Sequence, residues 1–230
     1  MAPWRSAPPD EEINLSFTLE NNLVTFPSTL RIDNHPGRFI LGSAARNTAI
    51  DDGFAGPGRL LNIQEKDSLR IAAVRVDLRG VADAIVGADA WGRNAISIDY
   101  RSGLVTYQKS GIERSQMKTF RFRNEPMIWV SVNGRQIAAI VDTANPDTLI
   151  LPAAASSRGT VSVTVAGTDF GAIDVQFANV SVPRIGNRLL SRFLVTIDYG
   201  RRVVGLWRDP RIPIVIPSGV ERPGRAGGAL

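Results

Sequence analysis

One aspartate in this chain stands where aspartates are rare. Residues 137–152, "IAAIVDTANPDTLILP", run an apolar segment straight into Asp142, Thr143 and Ala144. Aspartate is a poor strand residue and is at home in turns, so Asp142 marks a strand-to-loop junction. A carboxylate held at such a junction can take or give a proton, provided a second ionisable group stands beside it. Other chemistries lack their parts. There is no cysteine, which excludes disulfides, zinc–thiolate sites and thiol nucleophiles. The single histidine, His35, sits in the turn-like "RIDNHPGR" and cannot build a multi-histidine metal site. A Ser-His-Asp arrangement would have to use it, and no G-x-S-x-G elbow is present. No spacing fits a phosphate-cradling loop, so neither a cofactor nor a metal is expected.

The search for a partner to Asp142 leads to an internal repeat. Residues 31–50, "RIDNHPGRFILGSAARNTAI", align without a gap with residues 131–150, "SVNGRQIAAIVDTANPDTLI", matching Thr48 to Thr148 and Ile50 to Ile150. Further on, "WGRNAISIDYRSGLV" (91–105) matches "LSRFLVTIDYGRRVV" (190–204), and Gly87 in "AIVGADAW" falls opposite Gly186 in "RIGNRLL". This alignment places Gly42, Ser43 and Ala44 opposite Asp142, Thr143 and Ala144. The nearest acids, Asp51 and Asp52, lie nine and ten residues past Gly42. A slip of that size would destroy the register of a strand-to-loop junction, so neither replaces the missing carboxylate.

The elements that would position these loops are strands. Stretches such as "INLSFTL", "RIAAVRVDL", "AISIDY", "MIWVSV", "VSVTV" and "IDVQFANVSV" alternate with period two and are separated by Gly, Asn, Asp and Pro. Only "ADAWGRN" and "RLLSRF" suit a short helix. The expectation is an all-β chain of two similar lobes, residues 12–108 and 119–209, joined by the polar "QKSGIERSQ". The Pro- and Gly-rich residues 210–230 are expected to be disordered.

In these residues the chain resembles the retropepsin-like and pepsin-like aspartic proteases, most closely bacterial two-lobed members. The shared pattern is apolar-apolar-Asp-Thr-Gly, a flap region, apolar-apolar-Gly before a short helix, and an "IDY" strand. "AIVDTA" and "RIGNRLL" with "VTIDY" carry it in the second lobe; "AIVGADAW" and "ISIDY" carry it in the first. The resemblance spans about 190 residues and implies two loops meeting at a pseudo-twofold axis, each bringing one aspartate. Two such carboxylates share a proton because like charges about 3 Å apart cannot both ionise. It implies for Asp142 the catalytic position and for Thr143 and Ser43 hydroxyls that bond between lobes. Gly87 and Gly186 would pack against the Asp loops, and flaps would lie within 53–71 (its Gly-Pro-Gly a flexible tip) and 153–167.

Two departures redirect the function. The first-lobe triplet is Gly42-Ser43-Ala44 in place of Asp-Thr-Gly, and Ala144 stands where the second lobe would have glycine. One carboxylate cannot perform both halves of a concerted proton exchange, and losing a member of such a unit costs orders of magnitude in rate. The reading is therefore an aspartic-peptidase-family protein with an inter-lobe peptide-binding cleft and impaired catalysis. One alternative is an active endopeptidase in which two chains pair their Asp142 loops as retropepsin homodimers do, although a monomer is the expected state. Another is a non-enzymatic peptide- or protein-binding module. Asp99 and Asp198 of the "IDY" strands are expected to bond the following turns. Trp91, Trp129 and Trp207 are expected in the core or an interface.

Composition narrows the partners. Apolar residues make up 43% and charged residues 21%, the balance of a globular protein. The net charge of +5 comes from 24 arginines and 3 lysines scattered along the chain, not gathered as a nucleic-acid binder gathers them. The expected partner is thus a peptide or protein, not nucleic acid. No apolar run is long enough to span a membrane. The start lacks a signal peptide, so the expected location is cytoplasmic, or periplasmic or exported if a leader was removed.

Overall fold

Alternation and turn chemistry decide the local structure. In β1 (Ile13–Ser16) every second side chain is buried. Among the described residues, four hairpins turn on adjacent left-handed residues: Asn21-Asn22, Asp33-Asn34, Asn133-Gly134 and Ala166-Gly167. Paired positive φ values match the twist of the flanking strands, and Asn, Asp and Gly tolerate them best. The computed structural model describes residues 12–27, 30–63, 67–92, 94–108 and 117–214. The connector 109–116 and residues 215–230 lie outside this set; residues 210–212 turn and bend, and Ile214 packs on the core.

The first half continues with β2 (Thr18–Glu20), β3 (Leu23–Phe26), β4 (Leu30–Ile32), β5 (His35–Pro36), β6 (Phe39–Leu41) and β7 (Ala49–Asp51). Then come β8 (Leu60–Ile63), β9 (Asp67–Arg70), β10 (Val74–Val76), β11 (Ala84–Val86), helix α1 (Ala88–Trp91), β12 (Ala95–Asp99) and β13 (Leu104–Gln108). The second half holds β14 (Lys118–Arg121), β15 (Met127–Val132), β16 (Arg135–Val141), β17 (Leu149–Pro152), β18 (Ser157–Val165) and β19 (Thr168–Ala178). It ends with β20 (Arg184–Ile185), helix α2 (Asn187–Leu190), β21 (Leu194–Asp198) and β22 (Val203–Trp207). The chain is nearly all β, as the alternation predicts. Neither single-turn helix is long enough to cross a membrane.

The same pairings recur in both halves. Leu30 faces Ile63 as Val130 faces Val165, and Ile50 faces Arg75 as Ile150 faces Gln176. Ile40 lies beside Ile85 in parallel as Ile140 lies beside Arg184. In lobe 2 these pairings close a barrel, β15-β16-β20-β17-β19-β18. In lobe 1 they stay open as two sheets, β10-β7-β11-β6-β3-β2 and β5-β4-β8-β9. A third sheet, β1-β13-β12-β21-β22-β14, takes strands from both halves and ties them together. At its centre Ser97 faces Thr196, their hydroxyls 2.9 Å apart. The apolar core runs continuously through both lobes, with Trp91, Ile96 and Ile98 from one and Val195 and Ile197 from the other fully enclosed.

Candidate functional site

The two loops of interest begin where β6 and β16 leave their sheets. Both strands are almost wholly buried at their ends, which is why apolar residues precede each loop. Gly42 N–H donates to Val86 O at 2.9 Å, and Asp142 N–H donates to Ile185 O at 3.0 Å. Ala45 N–H then returns to Gly42 O, as Asn145 N–H returns to Asp142 O. Gly42 and Asp142 thus occupy equivalent backbone positions. Gly87 and Gly186 serve close approach. A Cβ on Gly87 would lie 2.5 Å from the carbonyl carbon of Asn47, and one on Gly186 would lie 2.4 Å from Asp147 O. Without side chains, α1 and α2 start directly against the loop backbones.

The loops lock together through two hydroxyls. Ser43 N–H donates to Thr143 Oγ1 at 2.9 Å, and Thr143 N–H donates to Ser43 Oγ at 3.0 Å. The Ser43 hydroxyl donates onward to Val141 O at 2.6 Å, and the Thr143 hydroxyl to Leu41 O at 2.7 Å. Both side chains are fully buried, so each bond satisfies a group that water cannot reach. The tyrosines of the repeated "IDY" cross over to brace the same junction. Tyr199 donates to Ser43 O at 3.2 Å. Tyr100 donates to Asn187 Oδ1 at 2.8 Å, and Asn187 donates in turn to Thr143 O and to Asn22 O. Desolvation raises the pKa of both phenols well above the usual range, so they remain donors.

Around Asp142 the two lobes differ. Its Oδ1 accepts the Ala144 N–H at 3.1 Å, and its Oδ2 accepts Arg184 Nη1 at 2.8 Å. Asp142 itself is 7% exposed. Arg184 stands two residues before Gly186, and the residue two before Gly87 is Ile85. The register pairs make these positions equivalent. In lobe 1, therefore, the loop position holds Gly42 and the facing strand holds Ile85. A Cβ built on Gly42 would lie 2.3 Å from Ile85 Cγ2, so the isoleucine fills the space an aspartate would enter. Ala144 and Ile85 both pack against the buried cluster of Leu23, Ile40 and Ala82. The positive-φ residues do not include Ala144, so its backbone carries no left-handed strain.

The other sequence candidates have structural partners. Asp51 accepts the N–H groups of Gly53 and Leu78, and Asp52 is exposed. Asp99 accepts from Arg101 N–H and Asp198 from Arg201 N–H, and the two sit at opposite ends of the paired β12 and β21. His35 meets Phe54 edge to face. Trp91 is in the core, Trp207 is partly buried, and Trp129 is 58% exposed. Gly56-Pro57-Gly58 is not a free tip. Asp33 accepts Gly58 N–H at 2.5 Å, and the Arg75 guanidinium donates to Asp51 O, Phe54 O and Gly56 O. The hairpin turn of β8 and β9 falls outside the described residues. Arg184, Ile85, Asn187, Tyr100 and Tyr199 were missed by sequence reasoning. For the first two a signal existed, since Gly87 and Gly186 already aligned the positions.

Among the described residues no three of His, Asp and Glu gather to hold a metal. A cavity of about 480 Å³ opens at the far end of the bridging sheet, lined by Arg101, Arg192, Trp207 and Arg208 among others. It contains none of the loop residues.

No protein-family model matches the chain, and no curated protein matches it in sequence. Among solved structures it resembles the aspartic proteinase of Irpex lacteus, with a TM-score of 0.58 over 87% of this chain and 98% of that one. Identity is 10%. A likeness at that identity is one of fold: an aspartic-proteinase-like β architecture.

Proposed function

We propose that the chain is a catalytically silent relative of the aspartic peptidases that holds extended peptide segments between its lobes without cutting them. The observation that carries this reading is the pairing of Gly42 with Ile85 in one lobe and of Asp142 with Arg184 in the other. Peptide hydrolysis by such a fold needs one carboxylate to take a proton from water while another gives one to the scissile carbonyl. Here the second acid is missing, and the space it needs is taken by Ile85. Both oxygens of Asp142 already accept a donor, one from a backbone N–H and one from a guanidinium. A lone carboxylate bound in this way lacks both the proton and the partner for general acid–base work.

Arg184 retains binding capacity. Its side chain is 36% exposed, and a guanidinium has five N–H donors, of which one is directed at Asp142. The remainder suit a peptide carbonyl or carboxylate. The homodimeric alternative is disfavoured by the reciprocal Ser43–Thr143 bonds and the bridging sheet, which would have to open before two Asp142 loops could meet.

The test incubates the monomer with a mixed peptide library from about pH 3 to about pH 8, beside an Asp142→Asn variant. Saturable binding without turnover is expected. Cleavage that is lost in the variant, or that rises faster than linearly with protein concentration, would overturn the reading.

A further inference from the structure

Lobe 2 closes on itself, and lobe 1 does not. In lobe 2 the first half of β18 covers the outer edge of β19, pairing Ser157 with Phe177, Arg158 with Gln176 and Gly159 with Val175. The lobe 1 counterpart of that edge is β10, because Arg75 faces Ile50 as Gln176 faces Ile150. β10 is the last strand of its sheet, and among the described residues no strand pairs with its outer side. Local sequence explains the difference. Where lobe 2 has strand residues from Ser157 onward, lobe 1 has Gly56-Pro57-Gly58, with φ of 101° at Gly56 and 70° at Gly58. Proline offers no N–H to a ladder, and the left-handed glycines break extension. Arg75 then holds this loop through the carbonyls of Asp51, Phe54 and Gly56.

The uncovered edge has a defined chemistry. Val74 N–H donates to Thr48 O and Val76 O accepts Asp52 N–H, so both valines spend their backbone groups on the β7 side. By alternation, the N–H and C=O of Arg75 point outward. Val74 is 44% exposed and Val76 37%, an apolar pair on an open edge of the kind proteins usually guard. The guanidinium between them is bonded to carbonyl oxygens, with no carboxylate within ion-pair distance among the described residues.

We propose that the outer edge of β10 is a docking strand for an extended segment of a partner polypeptide with apolar–acidic–apolar alternation. The segment adds antiparallel, as β18 adds to β19, and its acidic residue lies opposite Arg75. In that register the two facing residues exchange both backbone hydrogen bonds. The acid meets a cation that has no counter-charge, and the flanking apolar residues cover Val74 and Val76. A second copy of the chain is the poorer occupant, because antiparallel pairing of β10 with itself sets Arg75 against Arg75.

The probe is a fluorescently labelled acetyl-Thr-Val-Glu-Val-Thr-amide, compared with a version carrying Lys for Glu and one with the Glu nitrogen methylated. Saturable binding of the first is expected, with loss on methylation and a weakening of roughly tenfold or more with Lys. Val76→Glu, on an exposed side chain, should weaken the first peptide similarly while leaving the far-ultraviolet spectrum intact. Amide exchange should slow at Arg75 on binding. Val76 lies outside both inter-lobe loops, so loss of binding with Val76→Glu separates the edge from the inter-lobe reading. No saturable binding, or binding indifferent to methylation or to Val76→Glu, overturns the proposal. So does a self-dimer that Val76→Glu dissolves.

Discussion

The sharpest test of the lobe 1 loop is a single methyl group. Gly42→Ala places a Cβ 2.3 Å from Ile85 Cγ2 and 3.3 Å from Ala45 Cβ. Carbon atoms prefer about 3.5–4.0 Å, so the shortfall against Ile85 exceeds roughly 1 Å. That carbon cannot swing away cheaply, because it branches directly from Cβ of a stiff side chain. Its strand, β11, is also hydrogen-bonded on both sides. Overpacking of this kind costs about 1–3 kcal/mol. The φ of Gly42 lies outside the left-handed range, so alanine also narrows the unfolded ensemble and recovers about 0.4–1 kcal/mol. The net expectation is a loss of about 1–2 kcal/mol, read as a lower urea midpoint at constant m. In an Ile85→Ala background Cγ2 is gone, and Gly42→Ala should be neutral or stabilising. In an Ile85→Val background the clashing carbon remains, and the cost should persist. A double-mutant cycle should give a coupling of about 1 kcal/mol or more with Ala and about zero with Val. Equal costs of Gly42→Ala in all three backgrounds would refute the claim that Ile85 fills the space beside Gly42.

Three further outcomes are expected. Thr143→Val leaves Leu41 O and Ser43 N–H buried without partners, at about 1–3 kcal/mol each, so urea unfolding should show a loss of about 2–6 kcal/mol; a loss below about 1 kcal/mol would mean the interlobe lock is not needed. Arg184→Met strips the counter-ion from a nearly buried carboxylate, and because Arg184 is partly exposed the loss should be about 1–2 kcal/mol rather than the larger cost of a fully buried pair. For Tyr100 and Tyr199 the folded pKa lies above the unfolded value of 10.0, so the folded state keeps its protons longer. Their contribution is complete below that pH and is lost as pH rises through and beyond it, by up to about 1.4 kcal/mol per pH unit for each phenol. Phenolate absorbance should therefore show two tyrosines that ionise only with unfolding.

The two loops were legible because each is flanked by the same ladder. Alternation gave the strands, and the paired threonines, glycines and "IDY" segments gave the register that sets Gly42 against Asp142. The lock between Ser43 and Thr143 could be anticipated once the loops were paired, since a hydroxyl stands at both positions. The ion pair could not be read from Asp142 alone, because Arg184 is distant in sequence and reaches it only through the parallel pairing of β16 with β20. The difference between the closed barrel of lobe 2 and the open sheets of lobe 1 was legible only in part. That difference arises from Gly56-Pro57-Gly58 and from four carbonyl bonds made by Arg75, a side chain that reads as one more surface arginine.

Arg184 and Ile85 explain each other. An aspartate 7% exposed, with no carboxylate partner among the described residues, is expensive to enclose unless a cation accompanies it. In lobe 2 the strand residue facing the loop is that cation. In lobe 1 the loop has no charge, and the same strand position is apolar and fills the space. Two equivalent sites are thus each complete in a different way, one by neutralisation and one by packing. A carboxylate placed at position 42 would collide with Ile85, and the strand position that supplies Arg184 in lobe 2 would offer it no cation. The loop geometry is held here by the hydroxyl lock and the close glycine contacts, neither of which depends on a proton being transferred.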